Sequence, residues 1–265
     1  MLLKQKYGTV ALVAGASEGI GAAFSTFLAE EGLDLILIAR RNEPLEQLAA
    51  SLMNTYGIGV TCICCDLSDM NSINTIKNVI GGREVSVLVY NAAMSYIGPF
   101  THVSLELHQQ IAHANMLMPM TMVRIFGTPM LERGRGALIL MASLAGLQGS
   151  GFLATYASSK AFIRILAESL WYEWKGSGVD VIACCAGATA TPNFINTRPG
   201  KTGLFAPRVQ EPEEVVRECM KRLGKDPSII TGTGNKIASF IMQRMLTRKK
   251  AINIMGNSTR SMYRL

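Results

Sequence analysis

A glycine-rich turn near the N-terminus constrains the fold of this chain more than any other feature. Residues 14–21 read Ala-Gly-Ala-Ser-Glu-Gly-Ile-Gly and directly follow the apolar run Thr9–Val13. The order is that of a buried strand, a tight turn and the start of a helix. Glycine lets the backbone of such a turn pass close to a ligand, and the first amides of the helix attract an anion such as a pyrophosphate. The segment therefore predicts a dinucleotide site.

Seven strand-like apolar runs alternate with segments of helical length. We predict strands over Thr9–Ala14, Asp34–Ala39, Gly59–Cys65, Ser86–Tyr90, Gly136–Ala142, Val179–Cys184 and Ser228–Thr231. We predict helices over Gly19–Glu31, Glu43–Tyr56, Asp69–Ile80, Leu105–Leu131, Thr155–Lys175 and Pro212–Leu223. The alternation favours an α/β fold, a doubly wound parallel sheet of about seven strands with helices on both faces. Ligands of such sheets bind beyond the carboxyl ends of the strands.

Length and composition favour a single domain over residues 1–265. Of the 265 residues, 49% are hydrophobic and 17% are charged, which is enough apolar material for a large core. The segment 188–210 is rich in proline and glycine, and we interpret it as a loop or lid over the substrate. We interpret residues 235–265 as a basic helical extension, in which 235–251 forms a helix.

The net charge of +7 is unevenly distributed. Residues 227–265 contain seven lysines and arginines and no acid. No basic surface interleaved with aromatic residues accompanies them, so nucleic acid is not an expected partner. Arg244 and Arg248 fall within the apolar cluster of the predicted helix over 235–251. We therefore expect that helix to pack on its own domain or on a neighbouring subunit, and contact with a membrane is the less favoured alternative.

The remaining composition predicts a cytoplasmic protein without a metal site. The chain has no apolar run long enough to span a bilayer and no cleavable signal pattern at its N-terminus. Its six cysteines form no paired Cys-x-x-Cys motif. Small buried thiols in a reducing compartment explain them better than zinc ligands do.

Tyr156, Lys160 and Ser143 are the candidate catalytic side chains. Tyr156 and Lys160 are four residues apart on a predicted helix and therefore share one face. A lysine cation there favours the phenolate and is expected to lower the pKa of the tyrosine, which then exchanges a proton near neutral pH. Ser143, at the end of the fifth strand, can hydrogen-bond the substrate oxygen or the phenol. Together these groups polarise a carbonyl for hydride attack, or take a proton from an alcohol.

Asn115 is a fourth candidate. Pro119 lies four residues further along the same predicted helix and has no N–H, so the carbonyl of Asn115 loses its usual helical partner. A free carbonyl beside an active site can hold a water molecule, whereas a kinked packing helix is the alternative.

The end of the second strand favours NADP(H), with NAD(H) as the alternative. Enzymes that use NAD(H) place an acid there for the ribose hydroxyl, but this strand ends in Arg40 and Arg41, which suit a 2′-phosphate. Asp66, after the third strand, is placed to accept a hydrogen bond from adenine, or alternatively to cap a helix or turn. Residues 91–93, Asn-Ala-Ala, are small where the backbone must approach a ligand.

From about Thr9 to about Thr231 the chain resembles the short-chain dehydrogenase/reductase family. The motifs that carry the resemblance are Gly15-x-x-x-Gly19-Ile20-Gly21, Asp66, Asn91-Ala92-Ala93, Asn115, Ser143 and Tyr156-x-x-x-Lys160. The resemblance implies a Rossmann-like fold with seven strands. It also implies a homodimer or homotetramer that pairs through the long helices Leu105–Leu131 and Thr155–Lys175.

The same resemblance implies a role for each member of the tetrad. Tyr156 is the general acid and base, Ser143 orients the substrate, and Lys160 binds the nicotinamide ribose and tunes the tyrosine. The main chain of Asn115 holds a water in a proton relay. The chain departs from the family pattern at Ala14, at Ala93 and at Ala186, where threonine, glycine and proline are usual. No catalytic group is lost by these changes.

These inferences give two sets of candidate ligand-binding residues. The cofactor set is Gly15, Ser17, Glu18, Gly19, Ile20, Gly21, Arg40, Arg41, Asp66, Leu67, Asn91, Ala92, Ala93, Tyr156, Lys160, Thr189 and Thr191. The substrate set is Met94, Ala145, Leu147, Gln148, Phe152 and Phe194. Its apolar character favours a hydrophobic or acyl-type ketone.

Two alternatives stay open at this point. One is a catalytically silent protein of the same fold that binds or regulates, with membrane contact through its basic C-terminus. The other is a serine hydrolase, because residues 15–19 also match a G-x-S-x-G elbow centred on Ser17. The second is disfavoured because the only histidines, at positions 102, 108 and 113, precede the last strands.

Overall fold

The seven predicted strands form one parallel sheet. A computed structural model describes residues 3–197 and 208–265, so most of the second half of the predicted lid lies outside the described residues. The strands are β1 (Val10–Ala14), β2 (Asp34–Ala39), β3 (Val60–Cys64), β4 (Val87–Tyr90), β5 (Gly136–Ser143), β6 (Val179–Ala186) and β7 (Ser228–Ile230). Their order is β3-β2-β1-β4-β5-β6-β7, and every pair is parallel. The prediction of a doubly wound, Rossmann-like sheet is confirmed.

Helices cover both faces of the sheet. The described α-helices are α1 (Leu3–Tyr7), α2 (Gly19–Glu30), α3 (Asn42–Tyr56), α4 (Ser72–Ile80), α5 (Leu105–Ala112), α6 (Met118–Arg133), α7 (Ala154–Glu173), α8 (Pro192–Asn196), α9 (Pro212–Arg222), α10 (Thr233–Phe240) and α11 (Arg248–Tyr263). The strand residues are buried on both sides and alternate between two cores. Leu37 and Ile139 face the core that includes Phe24 of α2, whereas Ile36 and Leu138 face the core that includes Met122 of α6.

The strand order reverses between β1 and β4, and this position fixes where a ligand can bind. Strands β2 and β3 lie on one side of β1, and β4 to β7 lie on the other. The loops that follow β1 and β4 therefore diverge at the carboxyl ends of these two strands and leave a crevice between them. The glycine-rich turn follows β1, and Asn91 follows β4.

Two of the predicted helices are interrupted. The helix predicted over Leu105–Leu131 consists of α5, a π-helical turn over His113–Leu117, and α6. The turn precedes Pro119, which cannot donate to the usual carbonyl.

The single helix predicted over 235–251 is wrong. A second π-helical turn, Ile241–Met245, follows α10, and Leu246 is extended. Thr247 then starts α11, and its hydroxyl accepts a hydrogen bond from the Lys250 N–H. Within residues 3–197 and 208–265, none of the helices combines the length and apolarity needed to cross a bilayer.

Candidate active site

Steric limits fix the glycines of the turn after β1. A Cβ on Gly21 would lie 1.9 Å from the carbonyl oxygen of Gly15, and a Cβ on Gly15 would lie 2.6 Å from the Ala92 nitrogen. Gly15 and Gly19 have φ values of +79° and +56°, which other residues seldom adopt. The turn is held in place by the Asn91 amide, which donates to the Gly15 carbonyl oxygen over 2.9 Å. Asn91 therefore acts on the turn as well as lining the crevice.

The N-terminus of α2 is suited to an anion. Glu18 is the N-cap residue, but its side chain makes no capping hydrogen bond to the first turn. The first amides of the helix are thus not taken up by that carboxylate and point toward the crevice, where a pyrophosphate would be bound. The closely packed glycines and these amides together fit a dinucleotide cofactor.

Both arginines after β2 face carboxylates. A nitrogen of Arg41 lies 2.6 Å from a Glu18 oxygen, and a nitrogen of Arg40 lies 3.8 Å from an Asp66 oxygen. Although β2 itself ends without an acid, the neighbouring turns supply these two carboxylates, which the sequence pattern of β2 does not indicate. Both guanidinium groups are more than half exposed, so these ion pairs are weak and are readily exchanged.

Asp66 is a turn residue as well as a candidate adenine acceptor. One of its oxygens accepts hydrogen bonds from the Ser68 amide and hydroxyl over 2.9 and 2.8 Å. Partial burial acts to raise the pKa of Asp66, but these hydrogen bonds and the charge of Arg40 outweigh burial and hold the pKa below its ordinary value. Asp66 is therefore a carboxylate at neutral pH, able to accept a further hydrogen bond.

The other predicted cofactor residues lie around the same crevice at different depths. Leu67 is buried among core side chains, whereas Ser17 and Ile20 are half-buried in the turn. The Thr191 methyl lies against Gly19, because a Cβ on that glycine would meet it at 2.6 Å. The Thr189 side chain is buried and donates to the Gly187 carbonyl. The segment after β6 thus reaches the turn after β1.

Ser143, Tyr156 and Lys160 come together at the end of β5. The Lys160 ammonium donates to the Met141 carbonyl of β5 over 2.7 Å and lies 5.7 Å from the centre of the Tyr156 ring. The Ser143 hydroxyl accepts a hydrogen bond from the Ala145 amide over 3.2 Å. Lys160 is only 4% exposed, so its charge acts in a poorly solvated environment.

The direction of the Tyr156 pKa shift differs from the sequence prediction. Burial raises the pKa of Tyr156 above its ordinary value, and the neighbouring Ser143 hydroxyl offsets only part of this effect. A phenolate loses its hydration when it is buried, and this loss is the largest of the effects on the Tyr156 pKa. Tyr156 is thus a protonated acid at neutral pH. Burial also lowers the pKa of Lys160 to about 8.

Asn115 acts through its side chain in a way that the sequence analysis missed. Its oxygen accepts from the Met94 N–H, and its nitrogen donates to the Met94 carbonyl, both over 2.8 Å. The same nitrogen donates to the Ser159 hydroxyl over 3.0 Å, and that hydroxyl donates to the Tyr156 carbonyl over 2.7 Å. Asn115 therefore connects the loop after β4 to the catalytic helix. Ser159 could have been found, since it lies three residues from Tyr156 on the same face of the helix.

The predicted substrate residues differ in their exposure. Ala145, Leu147 and Gln148 are buried, whereas Met94 and Phe194 are half-buried. The Gln148 oxygen is buried and has no hydrogen-bond partner among the described residues.

Phe152 is the most distinctive member of the substrate set. It has φ of +65° and lines a small cavity together with Tyr96 and Tyr156. Its carbonyl accepts a hydrogen bond from the Gly98 N–H over 2.9 Å. This backbone conformation costs of order 1–3 kcal/mol for a residue with a side chain and often marks functional sites.

The C-terminal helix α11 packs on this substrate side, which the sequence analysis did not predict. The Arg260 guanidinium carbon lies 5.2 Å from the centre of the Phe152 ring. Tyr263 lies close enough to Tyr156 to be one of the groups that raise its pKa. The sequence signal for this contact is the spacing of residues 252, 256 and 260 by four, which places them on one face of a helix. That face can be recognised only when the boundaries of α11 are known.

The sheet topology, the glycine turn, the buried lysine and the half-buried serine and tyrosine beside it define a dinucleotide-dependent oxidoreductase of the Rossmann type. A family model described as short chain dehydrogenase matches residues 9–202. The chain therefore belongs to the short-chain dehydrogenase/reductase family, whose members act on hydroxy and keto groups with a nicotinamide cofactor.

Known proteins resemble the chain over almost its whole length. It is 30% identical over 259 residues to a 7beta-hydroxysteroid dehydrogenase of Mediterraneibacter gnavus, covering 97% of this chain and 98% of that one. A solved structure from work on 7beta-hydroxysteroid dehydrogenase stereoselectivity superposes with a TM-score of 0.91 at 29% identity, covering 96% of this chain and 99% of the other. A short-chain dehydrogenase from Sphingobium yanoikuyae in complex with NADPH superposes with a TM-score of 0.76 at 26% identity, covering 84% and 86%.

Proposed function

We propose that this enzyme interconverts an apolar or acyl-type ketone and the corresponding secondary alcohol, with NADP(H) preferred over NAD(H). The observation that carries the proposal is the meeting of Ser143, Tyr156 and Lys160 beside an apolar, half-buried crevice. Bound NADPH supplies a hydride to the carbonyl carbon. Every other part of the chemistry falls to side chains of this chain.

Tyr156 is the proton donor to the carbonyl oxygen. Because its pKa is raised, it keeps its proton at neutral pH and delivers it as negative charge develops on the oxygen. The Ser143 hydroxyl hydrogen-bonds the same oxygen and orients it. Lys160 holds positive charge below about pH 8 and stabilises the phenolate that forms when the proton leaves. This arrangement favours reduction over oxidation at neutral pH.

The preference for NADP(H) rests on Arg40 and Arg41. Both lie at the end of β2 with exposed guanidinium groups, and neither weak ion pair prevents them from binding a 2′-phosphate. The similarity to a structure in complex with NADPH supports this assignment. The substrate class is supported by the apolar residues around Phe152 and by the similarity to 7beta-hydroxysteroid dehydrogenases.

A turnover assay at the nicotinamide absorbance tests the proposal. The full chain is incubated with NADPH or NADH and with a bulky apolar ketone, a 3-oxoacyl thioester or a keto sugar. We expect NADPH to be oxidised with one of the first two substrates, and more slowly or not at all with the sugar. Exclusive turnover of sugars or polyols would contradict the proposed substrate class, and a preference for NADH would contradict the assigned cofactor.

We also propose that the enzyme is a homodimer or homotetramer. Exposed apolar side chains lie along the two long helices and the π-helical turn between α5 and α6, at Leu117, Met120, Ile165 and Tyr172. A second copy would cover them. Light scattering on the purified chain tests this, and a monomer at micromolar concentration would contradict it. A cytoplasmic location stays a prediction, for which cell fractionation is the test.

A further inference from the structure

Helix α11 lies along the loop that follows Ser143. A Cβ on Gly149 would lie 3.4 Å from the Ile252 side chain, and a Cβ on Gly151 would lie 3.3 Å from the Cα of Gly256. The Arg260 guanidinium stands over the ring of the next residue, Phe152. Positions 252, 256 and 260 are spaced by four and therefore share one face of the helix. One face of α11 thus follows loop 149–152 residue by residue.

The same face leads to the catalytic tyrosine. Tyr263 lies three residues beyond Arg260 and is near enough to Tyr156 to be one of the groups that raise its pKa. Phe152, under Arg260, lines the cavity that Tyr156 also lines. Helix α11 therefore packs behind Phe152 in the wall of the substrate site, with Tyr263 near the reacting end and Arg260 further out.

Arg260 is poised to bind an anion at this wall. Its side chain is exposed, and it makes no ion pair with any carboxylate of residues 3–197 or 208–265. Residues 227–265 contain no acid at all. A guanidinium over an aromatic ring is attracted by the ring face, and its N–H groups can still donate to a carboxylate or phosphate. The Phe152 backbone is held in place because its carbonyl accepts a hydrogen bond from the Gly98 N–H.

We propose that Arg260 binds an anionic group of the substrate, so that the enzyme acts on an apolar carbonyl compound that also carries a carboxylate or a phosphate. The inference rests on the proposed function and adds a chemical requirement to it. The anion could come from a carboxylate on a compact apolar ketone or from the phosphates of a 3-oxoacyl coenzyme A thioester. Because Arg260 is one turn of α11 from Tyr263, the anion must lie away from the reacting carbonyl.

Paired substrates with and without the charge test this inference. One pair is a keto-steroid with a carboxylate side chain and its methyl ester, and the other is a 3-oxoacyl thioester of coenzyme A and of uncharged N-acetylcysteamine. In Arg260→Met we expect KM to rise about tenfold or more for the charged member of one pair. We expect no significant change in kcat or in the KM of the neutral member. The pair that responds identifies the source of the anion.

Two further variants separate anion binding from a structural role. Arg248→Met removes the same charge from the same helix, about 18 Å from Arg260 along its axis, and we expect wild-type kinetics. Arg260→Lys keeps the charge without the guanidinium fork and should restore part of the affinity for the charged substrate. Equal losses for the charged and neutral substrates in Arg260→Met would overturn the inference, as would unchanged kinetics.

The outcome for wild type distinguishes this inference from the proposed function. If wild type turns over apolar ketones and Arg260→Met prefers charged over neutral substrates to the same degree as wild type, the proposed function stands. Only the role of Arg260 is then overturned. If wild type turns over none of the four compounds, the proposed function fails. The inference is then decided by calorimetric binding of the keto-steroid carboxylate and of the coenzyme A thioester. Loss of binding to one of them in Arg260→Met supports it, and equal or absent binding in both proteins overturns it.

Discussion

The cofactor side and the substrate side of the crevice are built in different ways. On the cofactor side, backbone groups at the ends of adjacent strands hold the site, as where the amides of Gly15 and Ala16 both donate to the Ile38 carbonyl. On the substrate side, side chains from segments far apart in sequence meet, as where the Arg260 guanidinium lies over the Phe152 ring. A site made by strand ends follows from the sheet order. A site made by distant side chains depends on how one particular loop and helix pack.

The two sides of the crevice therefore tolerate different substitutions. The cofactor side has little space to spare, since a single Cβ on Gly21 would collide with a backbone oxygen. The substrate side is bounded by a helix that touches the loop mainly through glycines and exposed side chains. We therefore expect substitutions on the first side to alter cofactor use sharply, and those on the second side to alter substrate choice while the chemistry continues.

Tyr156→Phe should have the largest effect, because it removes the proton donor at the point where the cofactor side and the substrate side of the crevice meet. We expect kcat to fall by about 10³-fold, with the Kd of NADPH changed by less than about threefold, since the ring still packs beside Lys160. Tyr96→Phe, in the wall of the same cavity, is the matched control and should retain most of the activity. Stopped-flow kinetics and fluorescence titration measure the two quantities. Substantial turnover by Tyr156→Phe would remove this residue from the mechanism.

Lys160→Met should show how strongly burial penalises the lysine. The pKa of Lys160 falls from 10.5 in the unfolded chain to about 8, so a charged Lys160 costs the folded protein about 3 kcal/mol at neutral pH. Between these two values the folded state binds fewer protons than the unfolded state, and the contribution of Lys160 to stability rises with pH. Relative to wild type, the variant should therefore lose about 3 kcal/mol as the pH rises from about 7 to about 10.5.

Urea unfolding of both proteins across that range measures the difference. Groups away from Lys160 titrate in the same way in both proteins and cancel, and the neighbouring Cys185 keeps its proton in the folded state over this range because burial raises its pKa to about 12. Lys77→Met, at an exposed position of α4, is the control and should show no such trend. A stability difference that does not depend on pH would mean that Lys160 keeps an ordinary pKa in the folded state.

Arg40→Asp should weaken NADPH binding and favour NADH. A carboxylate at the end of β2 repels a 2′-phosphate and can accept a hydrogen bond from a 2′-hydroxyl. We expect the KM for NADPH to rise about tenfold or more, while the KM for NADH stays equal or falls. Steady-state kinetics with each cofactor measure the ratio, and Lys77→Asp controls for the change in net charge. An unchanged ratio would assign the phosphate to Arg41 alone or to neither arginine.

Gly256→Ala should have the smallest effect, and it should stabilise the protein. A Cβ at this position meets no atom within 4 Å, and alanine in a helix interior is favoured over glycine by about 0.5–1 kcal/mol. Gly151→Ala is the matched variant across the contact, where the new methyl would press on the Gly256 backbone. We expect no gain in Tm for that variant. A lower Tm for Gly256→Ala would contradict the open space around the new methyl group.

The sequence predicted the sheet well because its strands are continuous apolar runs with clear ends. The predicted boundaries of β2 are those of the structure, and the other strands shift by one or two residues. Helix boundaries were harder to predict where a local hydrogen bond ends a helix although the apolar periodicity of the sequence continues. The apolar pattern continues through residues 241–247, so the break before α11 depends on the Thr247 cap and the preceding π-helical turn.

Within the site, residues were predictable where the chemistry requires one side chain at one spacing. The Tyr156 and Lys160 pair follows from helical geometry alone, but the direction of the Tyr156 pKa shift does not, because burial depends on the packed structure. The two hydrogen bonds between Asn115 and Met94 join residues 21 positions apart. Their partners could not be chosen before the loop after β4 was placed.

The ion pair between Arg41 and Glu18 has a consequence for how cofactor selectivity can drift. In the structure, the Arg41 guanidinium is already paired with the Glu18 carboxylate. Taking up a phosphorylated nucleotide is then an exchange of one anionic neighbour for another, and the gain is the difference between two similar attractions. A substitution that removes the Glu18 carboxylate would raise the affinity of Arg41 for a 2′-phosphate, just as a substitution of Arg41 would lower it. Selection could therefore change the cofactor preference at either residue without disturbing the sheet.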